Sequence, residues 1–382
     1  MPGAKIVILG GGFGGITAAL ELRRSLNGDH VITLVDRRPS FMMGLRKLWV
    51  LTGRGTPGDG TRPLSALSTK GITLRQATVT SIDPASRSVT TDAGTLAYDH
   101  LVIALGAESR PDLVPGFSSA VFNLYDAADV ERLAPRVKSF AAGRVVIGIL
   151  GVPYKCPPAP YEAALLLHDL FEQRGLRQAI QMAAFTPQPM SLPVVGAAGC
   201  AQVEGRLAAG GITFTPGVKI DRLEASVAIT EKGPIEADLF IAVPPHRPPA
   251  VIRSSGLQMT GEWLFADPAT MRTSDPRVYA VGDVIEIPLA NKMPLPKAGI
   301  FAESHAKVAA SHIAADITGR RSSATFDGRG YCFIEIGRGQ AAKVQGHFTA
   351  PNGPQVEVTP PSETALKEKI EFERSRLTNW FS

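Results

Sequence analysis

A chain of 382 residues with 44% apolar content is too long for one core of ordinary size and rich enough in apolar side chains to build two or three. No run approaches the roughly eighteen uninterrupted apolar residues of a spanning helix, and the N-terminus enters a strand by Lys5 without an export signal, so a cytoplasmic protein is expected. The net charge of +5 is scattered among acids, which argues against nucleic acid, and three cysteines are too few and too far apart for a disulfide scaffold or a metal site.

Ala4 to Leu9 reads as a short apolar strand, Gly10-Gly-Gly-Phe-Gly-Gly15 as a turn, Ile16 to Leu26 as a helix, and Val31 to Val35 as a second strand closed by Asp36. A lone G-x-G-x-x-G is a weak signal, but this one stands between strand and helix with an acid ending the next strand. Gly10 makes the turn tight, Gly12 lets the backbone approach a pyrophosphate, Gly15 lets the helix pack closely, and the helix N-terminus favours the anion. Asp36 is placed to accept hydrogen bonds from a ribose diol. The passage predicts a dinucleotide site without deciding between FAD and NAD.

Ser40 to Leu51 carries two methionines, a tryptophan and two cations, and reads as packing or as a wall of the ring or substrate side. Residues 72 to 98 alternate like a β-meander, and Tyr98 to Gly106 is an apolar strand ending in glycine. Residues 119 to 142 connect to a second α/β unit, whose first strand, Arg144 to Ile149, precedes the place where another phosphate-cradling turn belongs. The glycines for it are missing. Cys156 and four prolines stand there instead, fixing the backbone, removing amide donors and presenting a thiol at a strand end. After the helix Tyr161 to Arg174, the strand Gln178 to Phe185 ends in Thr186-Pro-Gln-Pro-Met190, with no acid or base for a ribose. Both halves of the second fingerprint are absent, which disfavours NADH and predicts a thiol redox site.

Cys200, in a small-residue helix, reads as packing, and His246, in the stiff loop Pro244 to Pro249, as a solvated residue. Arg277 to Asp283 is a strand closed by Gly282 and Asp283. Pro294 to Phe301 leads into a helix from about Ala302 to Ile317, whose start can aim its amides at a developing anion, with Lys297 beside it. Cys332 heads the strand Gly330 to Gly337. In the last segment, Glu363 to Phe381, helical spacing brings Leu366, Ile370, Leu377, Trp380 and Phe381 into one stripe, interrupted by Glu373 and opposite Phe372, for packing on the protein or on a bilayer.

Together these passages resemble, over most of the chain, the two-dinucleotide-binding-domain flavoproteins related to glutathione reductase. Lys155-Cys-Pro-Pro-Ala-Pro-Tyr-Glu162 resembles sulfide:quinone oxidoreductase and the flavin subunit of flavocytochrome c sulfide dehydrogenase. Pro296-Lys-Ala-Gly299 and Gly330-Tyr-Cys-Phe-Ile-Glu335 resemble the quinone-reducing branch. The resemblance implies an α/β chain of two Rossmann-like domains with a small C-terminal α+β region. Residues 1-112 and 266-322 would form the FAD-binding domain, 113-265 a second Rossmann-like domain with a degenerate NAD site, and 323-382 the quinone and membrane side.

On this basis FAD is held by Gly10, Gly12, Phe13, Gly14, Gly15, Asp36, Arg37, Val79, Ala104, Leu105, Gly106, Gly282, Asp283, Lys297, Ala298 and Gly299. A Cys156/Cys332 pair stands astride the flavin, Glu162 and Lys155 handle protons, and Lys297 stabilises charge on the ring. The implied reaction oxidises sulfide, or another small sulfur species, to polysulfide with quinone as acceptor, and the C-terminal region is implied to meet quinone and membrane; peripheral contact with the inner membrane face through 363-381 and a homo-oligomer are among the expectations. A type II NADH:quinone reductase, a ferredoxin-type reductase, a flavocytochrome-c-type subunit and a flavin-bound redox sensor are the alternatives. The chain differs from the family in having Phe122 to Ala128 where members carry a further cysteine and histidine, and one C-terminal helix where two are common.

Overall fold

Apolar runs closed by glycine make strands buried on both faces, and the computed structural model, which describes residues 3–382, is built on two parallel sheets of such strands. The first runs in the order Val278–Ala280, His100–Ile103, Lys5–Leu9, Val31–Asp36, Thr73–Gln76. Strand order reverses beside Lys5–Leu9, which leaves a crevice at the C-terminal strand ends, the place where such sheets bind nucleotides. The second sheet repeats the plan with Val121–Asn123, Leu239–Val243, Gly143–Ile149, Ile180–Phe185 and Ile212–Thr215.

Three helices begin earlier than apolar periodicity alone predicts. Phe13–Ser25 starts inside the glycine motif, Ala159–Gln173 within the proline run, and Gly299–Thr318 directly after Ala298. In each case glycine or proline forms the first turn, where proline's missing N–H costs nothing and glycine admits a close neighbour. The meander is a three-stranded antiparallel sheet, Val79–Asp83, Ser88–Thr91 and Gly94–Ala97, whereas Thr73–Gln76 joins the first parallel sheet. Ile252, Leu257 and Leu264 pack with the first core, not the second.

The C-terminal part is an antiparallel sheet, Arg329–Gly337, Gln340–His347 and Gln355–Val358, crossed by the helix Glu363–Phe381. The Ser362 hydroxyl caps that helix by accepting the Ala365 amide at 3.1 Å. Its predicted stripe is split: Leu377 and Trp380 are buried, while Ile370 is 48% exposed. The inward face also holds Lys369 and Glu373, which apolar periodicity would have left in water. No helix among the described residues is long and apolar enough to cross a membrane.

Candidate active site

The glycine turn depends on approaches that side chains forbid. Gly10 has φ +103°, and a Cβ on it would strike the carbonyl of Ala104; a Cβ on Gly15 would strike the carbonyl of Gly10. Gly12 is different, because nothing lies within 4 Å of where its Cβ would stand. The space before the helix N-terminus is open, as a pyrophosphate requires. Asp36 is buried at its strand end and accepts the Gly11 amide at 2.6 Å, the Arg38 amide at 2.8 Å and the Arg38 guanidinium at 3.2 Å. Arg37, the expected contact, instead points to Glu108 at 3.2 Å and is largely exposed.

The other side of this crevice is formed by Ala104, Leu105 and Gly106 after their strand and by the turn Gly282–Val284, which carries Asp283. Val79 is half-buried at the head of the meander. A Cβ on Gly299 would meet the Phe13 ring at 2.8 Å, so the N-termini of two long helices meet here and both present their positive dipole ends. The Phe13 ring itself is committed to Phe41 and Trp380, each with centroids 5.5 Å away. His305, buried at this end, accepts the Gly282 amide on Nδ1 at 3.3 Å and leaves Nε2 without a partner. An open cradle at Gly12, an acid at each of two strand ends and paired helix dipoles fit a dinucleotide.

Cys156 and Cys332, 176 positions apart, bring their sulfurs to 4.0 Å. Cys156 lies at φ +49°, a left-handed backbone that residues with a Cβ rarely adopt. Three bonds hold it there: its amide donates to the Lys297 carbonyl at 2.7 Å, and its carbonyl accepts the Ala159 amide at 3.0 Å and the Tyr125 hydroxyl at 3.1 Å. The hydrogen bond between the thiols lowers the Cys332 thiol, against its burial, and raises that of Cys156, where burial adds to the effect.

Beside the thiols lies a buried cluster of charge. Lys369, from the C-terminal helix, bridges Glu162 and Glu335, the latter at 2.9 Å, and the three side chains are 2%, 3% and 1% exposed. Glu335 also accepts Trp49 Nε1 at 2.9 Å and pairs with Arg54. One helical turn on, Glu373 accepts Arg46 Nε at 3.0 Å. Burial pushes the Glu162 carboxyl up, and Lys369 only partly opposes it. Glu335 is buried as well, yet Lys369 and Arg54 hold it down at about 2. Two carboxylates sharing one ammonium are thus pushed in opposite directions, Glu162 up by its burial and Glu335 down by its two cations.

Lys297 is buried, donates to the carbonyls of Asp283 at 2.9 Å and Ile285 at 3.0 Å, and stands 3.3 Å from the centre of the Trp263 ring. Burial brings its ammonium down to about 8, with Asp283 opposing. Lys155 donates to the Ala107 carbonyl at 3.2 Å, and burial lowers it too. The second crevice is filled. Pro158 to Glu162 are all buried, and a Cβ on Gly151 would meet Pro245 at 2.9 Å. His246 is fully buried, not solvated: its ring packs edge-on against Tyr125 at 5.0 Å, its Nδ1 lies 3.1 Å from the Pro244 carbonyl, and burial drives it down to about 3. Cys200 packs in the second core, as expected.

The sequence pattern points to Cys156, Cys332, Glu162 and Lys297 but misses Tyr125, Trp49, Arg54 and Lys369. Lys369 leaves one usable trace. It recurs with Ala365 and Glu373 at helical spacing, a second face that a search for apolar residues passes over.

A family model described as pyridine nucleotide-disulphide oxidoreductase matches residues 4–307. The chain is 30% identical over 344 residues to the sulfide-quinone reductase of Aquifex aeolicus, covering 82% of this chain and 76% of the relative. It is 24% identical over 300 residues to the mitochondrial sulfide:quinone oxidoreductase of Mus musculus, covering 74% and 66% respectively. Among solved structures, the sulfide:quinone oxidoreductase of Aquifex aeolicus superposes with a TM-score of 0.89 at 26% identity over 99% of this chain and 91% of the other.

Proposed function

Because the chain belongs to the pyridine nucleotide-disulphide oxidoreductase family, and within it to the sulfide-quinone reductases, we propose that it oxidises sulfide at the Cys156/Cys332 pair and delivers the electrons to quinone. The cofactor is FAD. The residues that would hold it are those of the glycine-turn crevice, Gly10 to Gly15, Asp36, Ala104 to Gly106, Gly282, Asp283 and Lys297 to Gly299, with Val79 at the edge and Arg38 taking the place first given to Arg37. When bound, FAD supplies the two-electron sink between sulfur chemistry and quinone.

In the disulfide form of the pair, hydrosulfide attacks Cys156. The bond to Cys332 breaks, a persulfide forms on Cys156, and Cys332 leaves as a thiolate, the role its lowered thiol favours. The persulfide and thiolate then give up two electrons and one proton as their sulfurs join in a sulfur-bridged pair, and Glu162 takes the proton. Each further hydrosulfide opens the bridge in the same way, and the loss of two more electrons and a proton closes it one sulfur longer; for every sulfur added, one quinone takes two electrons and two protons and leaves as quinol. The left-handed turn at Cys156 holds its sulfur in place so that little ordering remains to be done at reaction. The buried Lys297 ammonium stabilises negative charge at the ring end of the crevice, with Lys155 nearby.

Residues 1-112 and 266-322 would form the FAD-binding unit, and Ile252, Leu257 and Leu264, which pack in the same core, support extending it back. Residues 113 to about 250 form the second unit, and 323-382 the quinone side, where Phe372 packs edge-on against Tyr331 and Phe333. Peripheral attachment to the inner membrane face would use the exposed Ile370. The 4.0 Å approach of two sulfurs so far apart in the chain carries the proposal. Stopped-flow mixing tests it: sulfide bleaches the oxidised flavin and NADH does not, whereas bleaching by NADH alone would reverse the assignment.

A further inference from the structure

Glu162 is a buried carboxylate beside both thiols, and it has one counter-charge. Arg54 serves Glu335 and Arg46 serves Glu373, but among the described residues only Lys369 touches Glu162. That ammonium does not come from the strand or the loop that carries the thiols. It is brought in by the C-terminal helix, which also carries Phe372, and Arg376, whose guanidinium lies 3.5 Å from the centre of the Phe372 ring and pairs with Glu303 at 2.5 Å. We infer that Lys369 is a positioning residue for the thiol pair: by neutralising the carboxylate next to Cys156 and Cys332, it makes the sulfur site competent only while the C-terminal helix is seated. This rests on the function proposed above.

The groups facing Glu162 are few enough to name. The strand Arg329–Gly337 supplies Cys332 and Glu335, the proline-rich loop supplies Cys156, and the C-terminal helix supplies Lys369. From the helix Arg46–Leu51, the Trp49 ring stands 5.2 Å from the Lys369 ammonium and its indole N–H serves Glu335. Lys369 favours the thiolate at both cysteines and Glu162 opposes it at both. Without Lys369, the buried site loses the ammonium that favours both thiolates, whether Glu162 then keeps its charge or takes up a proton, and negative charge on the pair is suppressed. An inert structural strut would cost stability when removed but would leave the titration of the thiols where it was.

The test uses the FAD-loaded, dithiol-reduced full chain in a Cys200→Ser background, following alkylation by iodoacetamide against pH, with flavin reduction by sulfide measured alongside. Lys369→Met is expected to move the alkylation midpoint upward by about one pH unit or more, and Lys369→Arg to return it to the parent's. The double variant Lys369→Met/Glu335→Gln removes one charge of each sign, which eases folding, and is expected to shift in the same direction. Glu335→Gln alone takes away an anion and should not shift it upward. Midpoints in both methionine variants equal to the parent's would overturn the inference. If the midpoint moves but sulfide never reduces the parent flavin, the proposed reaction fails while the positioning role stands.

Discussion

The amide of Cys156 donates to the carbonyl of Lys297 at 2.7 Å, so one reactive sulfur is tied by the backbone to the segment that leads into a helix of the dinucleotide crevice. Proline at 157 and 158 can donate nothing to that loop, and the remaining restraints on Cys156 are its carbonyl bonds to the Ala159 amide and the Tyr125 hydroxyl. Tyr125→Phe keeps the ring against His246 and removes only the hydroxyl. It is expected to cost about 1 kcal/mol of stability and to slow flavin reduction by sulfide on the order of tenfold with FAD content unchanged. Equal rates in a single-turnover comparison would show that the hydroxyl does not position the thiol.

Gly12 separates a ligand-driven glycine from a structural one. A methyl there meets nothing in the protein, so Gly12→Ala apoprotein should melt within about 0.5 kcal/mol of the parent, yet bind FAD at least roughly tenfold more weakly because the added carbon stands where the pyrophosphate must approach. Gly15→Ala, which collides with the Gly10 carbonyl, should destabilise with or without cofactor. Thermal melts of both apoproteins and a flavin titration distinguish the two cases.

Glu335 gives a pH-dependent contribution whose sign is fixed. Its carboxyl is held at about 2 against an ordinary 4.5. A depressed folded-state value stabilises the protein above the unfolded value and loses that stabilisation as pH falls through the folded one. The stability of the parent relative to Glu335→Gln should therefore fall by about 3 kcal/mol as pH drops from above 4.5 to below 2. Urea midpoints at several pH values check this, and a relative stability that rises on acidification would refute it.

Much of the fold is legible in the chain because its signals are local. The glycine turn with Asp36, the strand-closing Gly282 and Asp283, and Glu363–Phe381 all appear where spacing puts them. Cys156 stands out because thiol and prolines replace expected glycines, and Cys332 because it heads a strand. What spacing does not reveal are partnerships across the chain: Lys369 with Glu162, Trp49 with Glu335, Tyr125 with the Cys156 carbonyl. His246 misleads for the same reason. A proline-rich loop usually lies in water, but here the Tyr125 ring packs against His246 and its strand pairs with Glu108–Ser109, which leaves the imidazole interior.

The C-terminal helix predicts two different costs along one stripe. Trp380 is buried against Phe13 and Phe41, so Trp380→Ala should cost about 3 kcal/mol or more. Ile370 is half exposed, and Ile370→Ser should stay within about 0.5 kcal/mol while weakening retention on anionic vesicles. Co-sedimentation with such vesicles, alongside thermal melts, reads both effects; unaltered retention would count against the proposed membrane contact through Ile370.

The most direct measurement is an anaerobic titration of the purified yellow protein with sulfide, with and without a short-chain quinone, following flavin absorbance in the parent and in Cys156→Ala and Cys332→Ala. The parent flavin should bleach stoichiometrically and recover its colour on adding quinone, while each alanine variant stays oxidised. A parent flavin that remains oxidised in excess sulfide, or alanine variants that bleach as fast as the parent, would contradict sulfur oxidation at this pair of thiols.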